Sequence, residues 1–518
     1  MAETALVRPK EGGKRSWNRE ILTSTPQDVG CGLITLLIFV QVTALGANDQ
    51  LLQSYAAFFN IAFCLVMLNW LVVDQTFWKQ TLYPFLILGL GLLWACLPVF
   101  ATTYDLWSIM PGSVAPRPVP DLQMGGGVRY VSQMALLLSG AMIGYKRGSM
   151  RSLVDWLLIF GLCNLLIGLL LRWIDPQHVW GMTKTMHEFR FTGTLQNANA
   201  TGAILGFLSI LTVGRILSII EYGGFRHAKV MRGWAVFYGL CAFAFLGGLL
   251  ATVSRTAILL TLFCLCALGL RRFLLSRIGT KGLAIALAVA IAGLLIAALL
   301  AIALNLPIAA RMGQVGPDSI YRVEIYARFW QLYLESPLFG YGLNSFSDVN
   351  LTTLETAKQA RDFSYINAAH NHLLQLLLAG GWPFLLAHIC AIGLIIKRAR
   401  EQSPFIETGV FAIWLGLLML LACSMTDIAL TVPAILSLAA VVGGHLWGRA
   451  IRIKLDAVAA ANKPKSYYSR RKREKEAAEA VTGGGRPAEP SSAVRTKTYE
   501  GLTTTSDARK GLFSRKLR

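Results

Sequence analysis

The chain has 518 residues, of which 54% are hydrophobic and 15% charged, against roughly 25% charged residues in a soluble domain. A mean hydropathy of +0.52 makes lipid its main solvent and excludes a wholly soluble fold. The net charge of +21 is uneven, with 18 Lys and Arg against 7 Asp and Glu in 448–518; this suits anionic membrane lipids. No nucleic-acid-binding module accompanies it, so no nucleic-acid partner is expected.

Residues 1–28 are polar and of mixed charge, with no small-residue cleavage site before the first apolar run. They read as a cytoplasmic N-terminal segment and not as a signal peptide. Apolar runs then follow at 29–47, 54–73, 82–101, 130–145, 152–171, 197–219, 233–252, 256–270, 282–304, 372–396, 407–425 and 428–447. Most are long enough to cross a hydrocarbon core of about 30 Å. The expectation is an all-α polytopic membrane protein with about 12 transmembrane helices over 29–447.

Orientation follows from Lys and Arg. The clusters Lys146-Arg147…Arg151, Arg226…Lys229…Arg232, Arg271-Arg272…Arg277…Lys281 and Lys397-Arg398…Arg400 fall in alternate gaps, in phase with both termini. Both termini and these clusters are therefore assigned to the cytoplasm. The remaining gaps face the other side. Of these, 102–128 is rich in Pro and Gly, 172–196 contains Trp173, His178, Trp180 and His187, and 305–371 forms one large loop between helices 9 and 10. Within it Tyr321, Ile325, Phe329 and Leu332 recur at helical spacing, which predicts an amphipathic surface helix over 318–335. The tail, 448–518, lacks apolar periodicity and reads as basic and mostly disordered. All nine cysteines lie in apolar runs, so neither a disulfide framework nor zinc spacing is expected.

Three features could carry chemistry. His370-Asn371-His372 sits where the large loop re-enters the membrane. Imidazole there can take a proton near neutral pH, and Asn371 suits a helix N-cap. His370 could equally be an interfacial polar residue. Second, Arg190, Arg255, Arg311, Arg322 and Arg328 map to the side opposite the basic clusters. Guanidinium groups grip phosphate oxygens bidentately, although snorkelling or pairing with Glu324 and Glu335 would also account for single members. Third, 190–201 is polar, Gly-containing backbone at membrane depth, tolerated only where it lines a cavity or is covered by protein. Gln196, Asn197 and Asn199 could bind sugar hydroxyls, or cap and pack helices.

There is no nucleotide-binding loop, paired carboxylate site or metal-ligand cluster in the pattern. Asp155 and Asp427 lie near helix ends, and the spans are almost free of acid, which weakens an ion-coupled transporter.

At these residues the chain resembles the O-antigen ligase and polymerase superfamily. The matching segments are Arg190–Asn199; Ser254-Arg255; Tyr321-Arg322, followed by Glu335-Ser336-Pro337-Leu338-Phe339-Gly340-Tyr341-Gly342-Leu343-Asn344-Ser345-Phe346; and His370-Asn371…Leu374 with Gly380-Gly381. The resemblance implies a GT-C-like membrane enzyme of the bacterial inner membrane that needs neither metal nor cofactor. Such an enzyme transfers a glycan from an undecaprenyl-pyrophosphate carrier to an acceptor hydroxyl on the periplasmic face. It implies His370 as general base, Arg190, Arg255 and Arg322 as pyrophosphate ligands, and Asn197, Asn199 and Asn371 in support. The position of the large loop favours a ligase, whose acceptor is the lipid A core. A polymerase, extending a growing glycan, is the near alternative, and a polysaccharide or lipid flippase is the alternative of another class.

Overall fold

The computed structural model describes residues 26–71, 73–103, 120–184, 189–221, 229–275, 315–400 and 407–461. The long helices are α1 (Pro26–Thr43), α2 (Gln50–Trp70), α3 (Gln75–Thr103), α4 (Pro120–Gly144), α5 (Ser149–Ile174), α6 (Ala198–Glu221), α7 (Lys229–Ala251) and α8 (Arg255–Leu275). The large loop contributes α9 (Val315–Glu335), α10 (Phe346–Thr352) and α11 (Ala357–Phe363). It is followed by α12 (His372–Arg400), α13 (Thr408–Ser424) and α14 (Pro433–Ala461). Strands β1 (His178–Val179) and β2 (Met182–Thr183) form a small hairpin that sequence periodicity did not suggest. Its turn residues, Trp180 and Gly181, both have positive φ.

Among the described residues, nine helices are long and apolar enough to span a membrane, and the chain is an all-α polytopic membrane protein. Of the other three expected spans, α13 has 17 residues and α4 has 25 but is more polar. The run at 282–304 lies outside the described residues, as do Arg311 and His187. Two boundaries need correction. Helix α4 begins at Pro120, where proline suits the first helical turn, so part of the expected loop at 102–128 is helical. Helix α14 runs past 447 to Ala461, so the tail begins as helix.

The polar positions of α4 turn inward. Gln133 bonds Ser437 of α14 at 3.1 Å, Ser437 reaches Gln41 of α1 at 3.2 Å, and Gln41 donates to Asn60 of α2 at 2.7 Å. Such interhelical bonds, together with small-residue contacts, hold helices together where lipid provides no hydrophobic drive. Two Gly-x-x-x-Gly pairs make the closest of these contacts. Gly140 and Gly144 lie against the backbone at Val441 and His445, while Gly444 and Gly448 lie against the backbone at Leu137 and Ala141. A methyl group at any of the four would overlap the facing carbonyl.

Helix α6 is hydrophobic and buried on nearly every side, packed by α7, α8 and α13, as expected of a central helix. By contrast, α3 presents Leu82, Tyr83, Leu86, Leu90 and Leu93 outward, an apolar face suited to lipid.

The large loop builds its own small core. Ile325, Phe329 and Leu332 of α9 are buried with Tyr341, Val349, Ile366 and Ala369 against Leu374 and Leu378 of α12. The expected amphipathic face is therefore the one that is buried, but against the loop itself. The loop is anchored where α12 is broken by Gly380 and Gly381. Within a regular helix the Leu378 carbonyl would pair with the Trp382 N–H. Here that carbonyl accepts from Tyr341 N at 2.7 Å, and Trp382 N donates to the Pro337 carbonyl at 2.9 Å. The Pro337–Gly342 turn is thus spliced into the helix, with Gly340 (φ 60) and Gly381 (φ 70) allowing the approach. Trp94 of α3 donates to the Leu338 carbonyl at 2.9 Å and stacks on Phe339.

Candidate functional site

The loop core and the splice bring His370 to the end of the bundle where α13 turns into α14. Its backbone is left-handed, with φ 52, which is strained for a non-glycine residue. The strain is held from several directions. Ala369 N donates to Gln375 Oε1 at 2.9 Å, and Tyr326 Oη donates to the His370 carbonyl at 3.1 Å. Asn371 accepts from Leu374 N at 3.1 Å, the expected N-cap of α12, and donates to the Met425 carbonyl at 3.1 Å. Backbone strain over-determined in this way concentrates at functional sites. Burial pushes the Tyr326 phenol up, so it stays a donor.

The side chain at the centre of the cluster is Asp427, in the short link between α13 and α14. Its carboxylate faces His370 Nδ1 at 3.7 Å, an ion contact longer than a full hydrogen bond. It accepts from Arg322 Nη2 at 3.1 Å, Asn199 Nδ2 at 2.6 Å and Ile428 N at 2.8 Å. Burial alone would raise its pKa. Neighbouring His370, Arg322 and the Ile428 N–H outweigh burial and hold the carboxyl below its usual range. Asp427 is therefore the anionic hub of the cluster. Sequence reasoning passed it over as a helix-end acid; the available signal was an isolated carboxylate in a link between two apolar runs.

Asn199 extends the network. It donates to Asp427 and accepts from Arg190 Nη2 at 2.7 Å, while Arg190 Nε donates to the Thr252 carbonyl at 2.8 Å. Arg190 is buried; its bonds to Asn199 and Thr252 tie the start of α6 to the turn between α7 and α8. Arg255 opens α8 just beyond that turn, after Val253 with φ 50. Asn197 proves to be a helix cap, accepting from Asn199 N at 2.9 Å and Ala200 N at 3.0 Å.

Two expected candidates lie apart from the hub. Arg328 donates to the Thr353 carbonyl at 3.2 Å and to Thr353 Oγ1 at 3.0 Å, where it ends α10. Among the described residues His372 makes no hydrogen bond or ion pair with Asp427 or Arg322, and its Nδ1 is buried without a hydrogen-bond partner.

The structure thus assembles His370, Arg322, Asn199 and Arg190 around Asp427, from four parts of the chain. Arg322 and His370, which share the Asp427 carboxylate, are both partly exposed. Such a pair can offer a base and a positive charge to the same ligand. No three His, Cys, Asp or Glu side chains converge as metal ligands among the described residues.

No curated protein matches the chain. The O-antigen ligase family model matches residues 240–389, a stretch that includes Arg255, Arg322, the Pro337–Gly342 turn, His370 and Asn371. That family points to a membrane glycosyltransferase-like enzyme acting in surface polysaccharide assembly. Over residues 240–389 the chain is thus similar to the O-antigen ligase family.

Proposed function

We propose that the chain transfers a glycan from an undecaprenyl-pyrophosphate carrier to the lipid A core, on the periplasmic side of the bacterial inner membrane. The observation that carries this reading is the His370–Asp427–Arg322 cluster within a superfamily whose members transfer lipid-linked glycans. His370 Nε2 has no partner among the described residues, while its Nδ1 faces Asp427. The carboxylate orients the ring and stabilises the imidazolium that forms when Nε2 takes a proton.

In the transfer, His370 removes the proton from an acceptor hydroxyl. The acceptor oxygen forms a bond to the anomeric carbon of the donor sugar. The bond from that carbon to the pyrophosphate oxygen breaks, and its electron pair leaves with undecaprenyl pyrophosphate. Arg322 and Arg255 stabilise the charge that develops on this leaving group. Arg190, saturated from behind by Thr252 and Asn199, is assigned to holding the site's shape and adding positive potential. The fixed arginine charge is the proposed basis for transfer without a metal or cofactor.

Lipopolysaccharide from a deletion strain tests the reading. A ligase null retains carrier-linked chains and loses them from lipid A. Lipid A cores capped with a single repeat unit would instead identify a polymerase, and unprocessed donor confined to the cytoplasmic leaflet would identify a flippase.

A further inference from the structure

At the end of the bundle away from His370 lies a cavity of about 960 Å3. It is enclosed by the last turns of α4, α6 and α14 with the first turns of α5 and α13 and part of α7. Six cations line it: Lys146, Arg147, Arg151, Arg215, Arg449 and Arg452. Three carboxylates line it with them, Asp155, Glu407 and Asp456, and a fourth, Asp74, acts on Lys146 and Arg452 from nearby.

The pairing leaves charge over. Arg215 is satisfied by Asp155 at 3.0 and 3.2 Å, and Tyr238 joins that carboxylate at 2.7 Å. Arg449 bonds both oxygens of Glu407 at 2.8 Å. Arg147 and Arg452 must share Asp456, at 2.8 and 3.2 Å. Arg151 is exposed and makes no ion pair among the described residues. Burial and the charge of Arg452 hold the Lys146 ammonium below its usual range, with Asp74 opposing them.

The cavity wall also includes Ser149, Met150 and Arg151, the first turn of the 26-residue helix α5. Its N-cap, Gly148, is left-handed (φ 86) and supplies no side-chain cap, and the first turn contains no acidic residue. The positive end of the helix dipole therefore adds to the surplus of side-chain charge. Deeper in, Leu211, Ile219 and Ile413 give the wall an apolar lining.

We propose that this cavity binds the phosphate of an anionic ligand, through Arg147, Arg151 and the first turn of α5. Two sources share that chemistry, a membrane phospholipid headgroup and a soluble phosphate. The apolar inner wall suits the acyl stem of a lipid. The inference is independent of the glycan-transfer reading.

The test uses the full chain, purified in zwitterionic detergent and titrated with phosphatidylglycerol, phosphatidylcholine or inorganic phosphate. Thermal unfolding and retained lipid by native mass spectrometry are the readouts. Phosphatidylglycerol should raise Tm and be retained; phosphatidylcholine should do neither. Arg151→Ala, at an exposed position that leaves packing intact, should weaken binding about tenfold, the scale of one hydrogen bond to a charged group. Arg361→Ala, an exposed loop cation, should bind like the wild type. Stabilisation by inorganic phosphate that is likewise weakened in Arg151→Ala would assign the site to a soluble anion. If neither anion binds, or if Arg151→Ala and Arg361→Ala bind as the wild type does, the proposal is overturned.

Discussion

Replacing Asp427 by Asn removes the hub's charge while keeping its shape. The Ile428 N–H can still be accepted by an amide oxygen. The other terminal atom faces Asn199 Nδ2 and Arg322 Nη2, both donors; an amide nitrogen there sets donor against donor. If the amide flips, Ile428 N loses its acceptor instead. Either way at least one charge-assisted contact is lost, each worth about 1.5–3 kcal/mol, and His370 loses its orienting anion. A loss of about 2.7 kcal/mol in the transition state lowers turnover about 10²-fold. Arg322, released from its carboxylate, can still bind the donor, so kcat should fall far more than donor KM rises. The stability effect has a definite sign. Because the native carboxyl is held below its usual range, its contribution is present above the ordinary carboxylate pKa and fades as pH falls through the lowered value. The Tm gap between wild type and Asp427→Asn should therefore be largest near neutral pH and narrow in acid. Transfer from purified lipid-linked donor, with protein amounts matched, gives kcat and KM; a thermal melt at both pH values gives the gap. Unchanged kcat, or a Tm gap that widens in acid, would refute the role assigned to Asp427.

Arg322→Lys should lower kcat/KM at least tenfold, since one ammonium cannot serve Asp427 and a phosphate in the bidentate manner of a guanidinium; donor kinetics would reveal it. Gly444→Leu should cost at least about 1–3 kcal/mol, because Leu137's carbonyl occupies the space, whereas Gly443→Ala has open space around it; melting in detergent compares the two. Truncation after Ala461 should leave transfer intact. Truncation after Lys454 also removes Asp456, the shared partner of Arg147 and Arg452, and should lower Tm in the same assay.

The helices and the buried face of α9 were legible because burial imposes a period that survives in one sequence: Ile325, Phe329 and Leu332 are three and four residues apart. The His370-Asn371 cap was legible for the same local reason. Asp427 was not, because its significance comes from partners 57, 105 and 228 positions away, and no local pattern distinguishes it from an ordinary helix-end acid. The second rows of contact were hidden likewise. Asn197 and Asn199 look equivalent in sequence, yet one caps its own helix and the other bridges Arg190 to Asp427. The glycines of the Pro337–Gly342 turn and of Gly380-Gly381 were readable as a motif but not as two halves of one backbone splice. Nor did the separate Gly-x-x-x-Gly pairs of α4 and α14 reveal that they face each other.

The most direct measurement compares His370→Ala with His372→Ala in transfer from purified lipid-linked donor, with donor binding measured in parallel. His370→Ala should lose about 10²–10⁴-fold in turnover, the range of general-base catalysis, while retaining donor binding through the arginines. His372→Ala, which removes no hydrogen bond or ion pair to Asp427 or Arg322, should remain active. Near-normal turnover in His370→Ala would contradict the account, whether His372→Ala is dead or active.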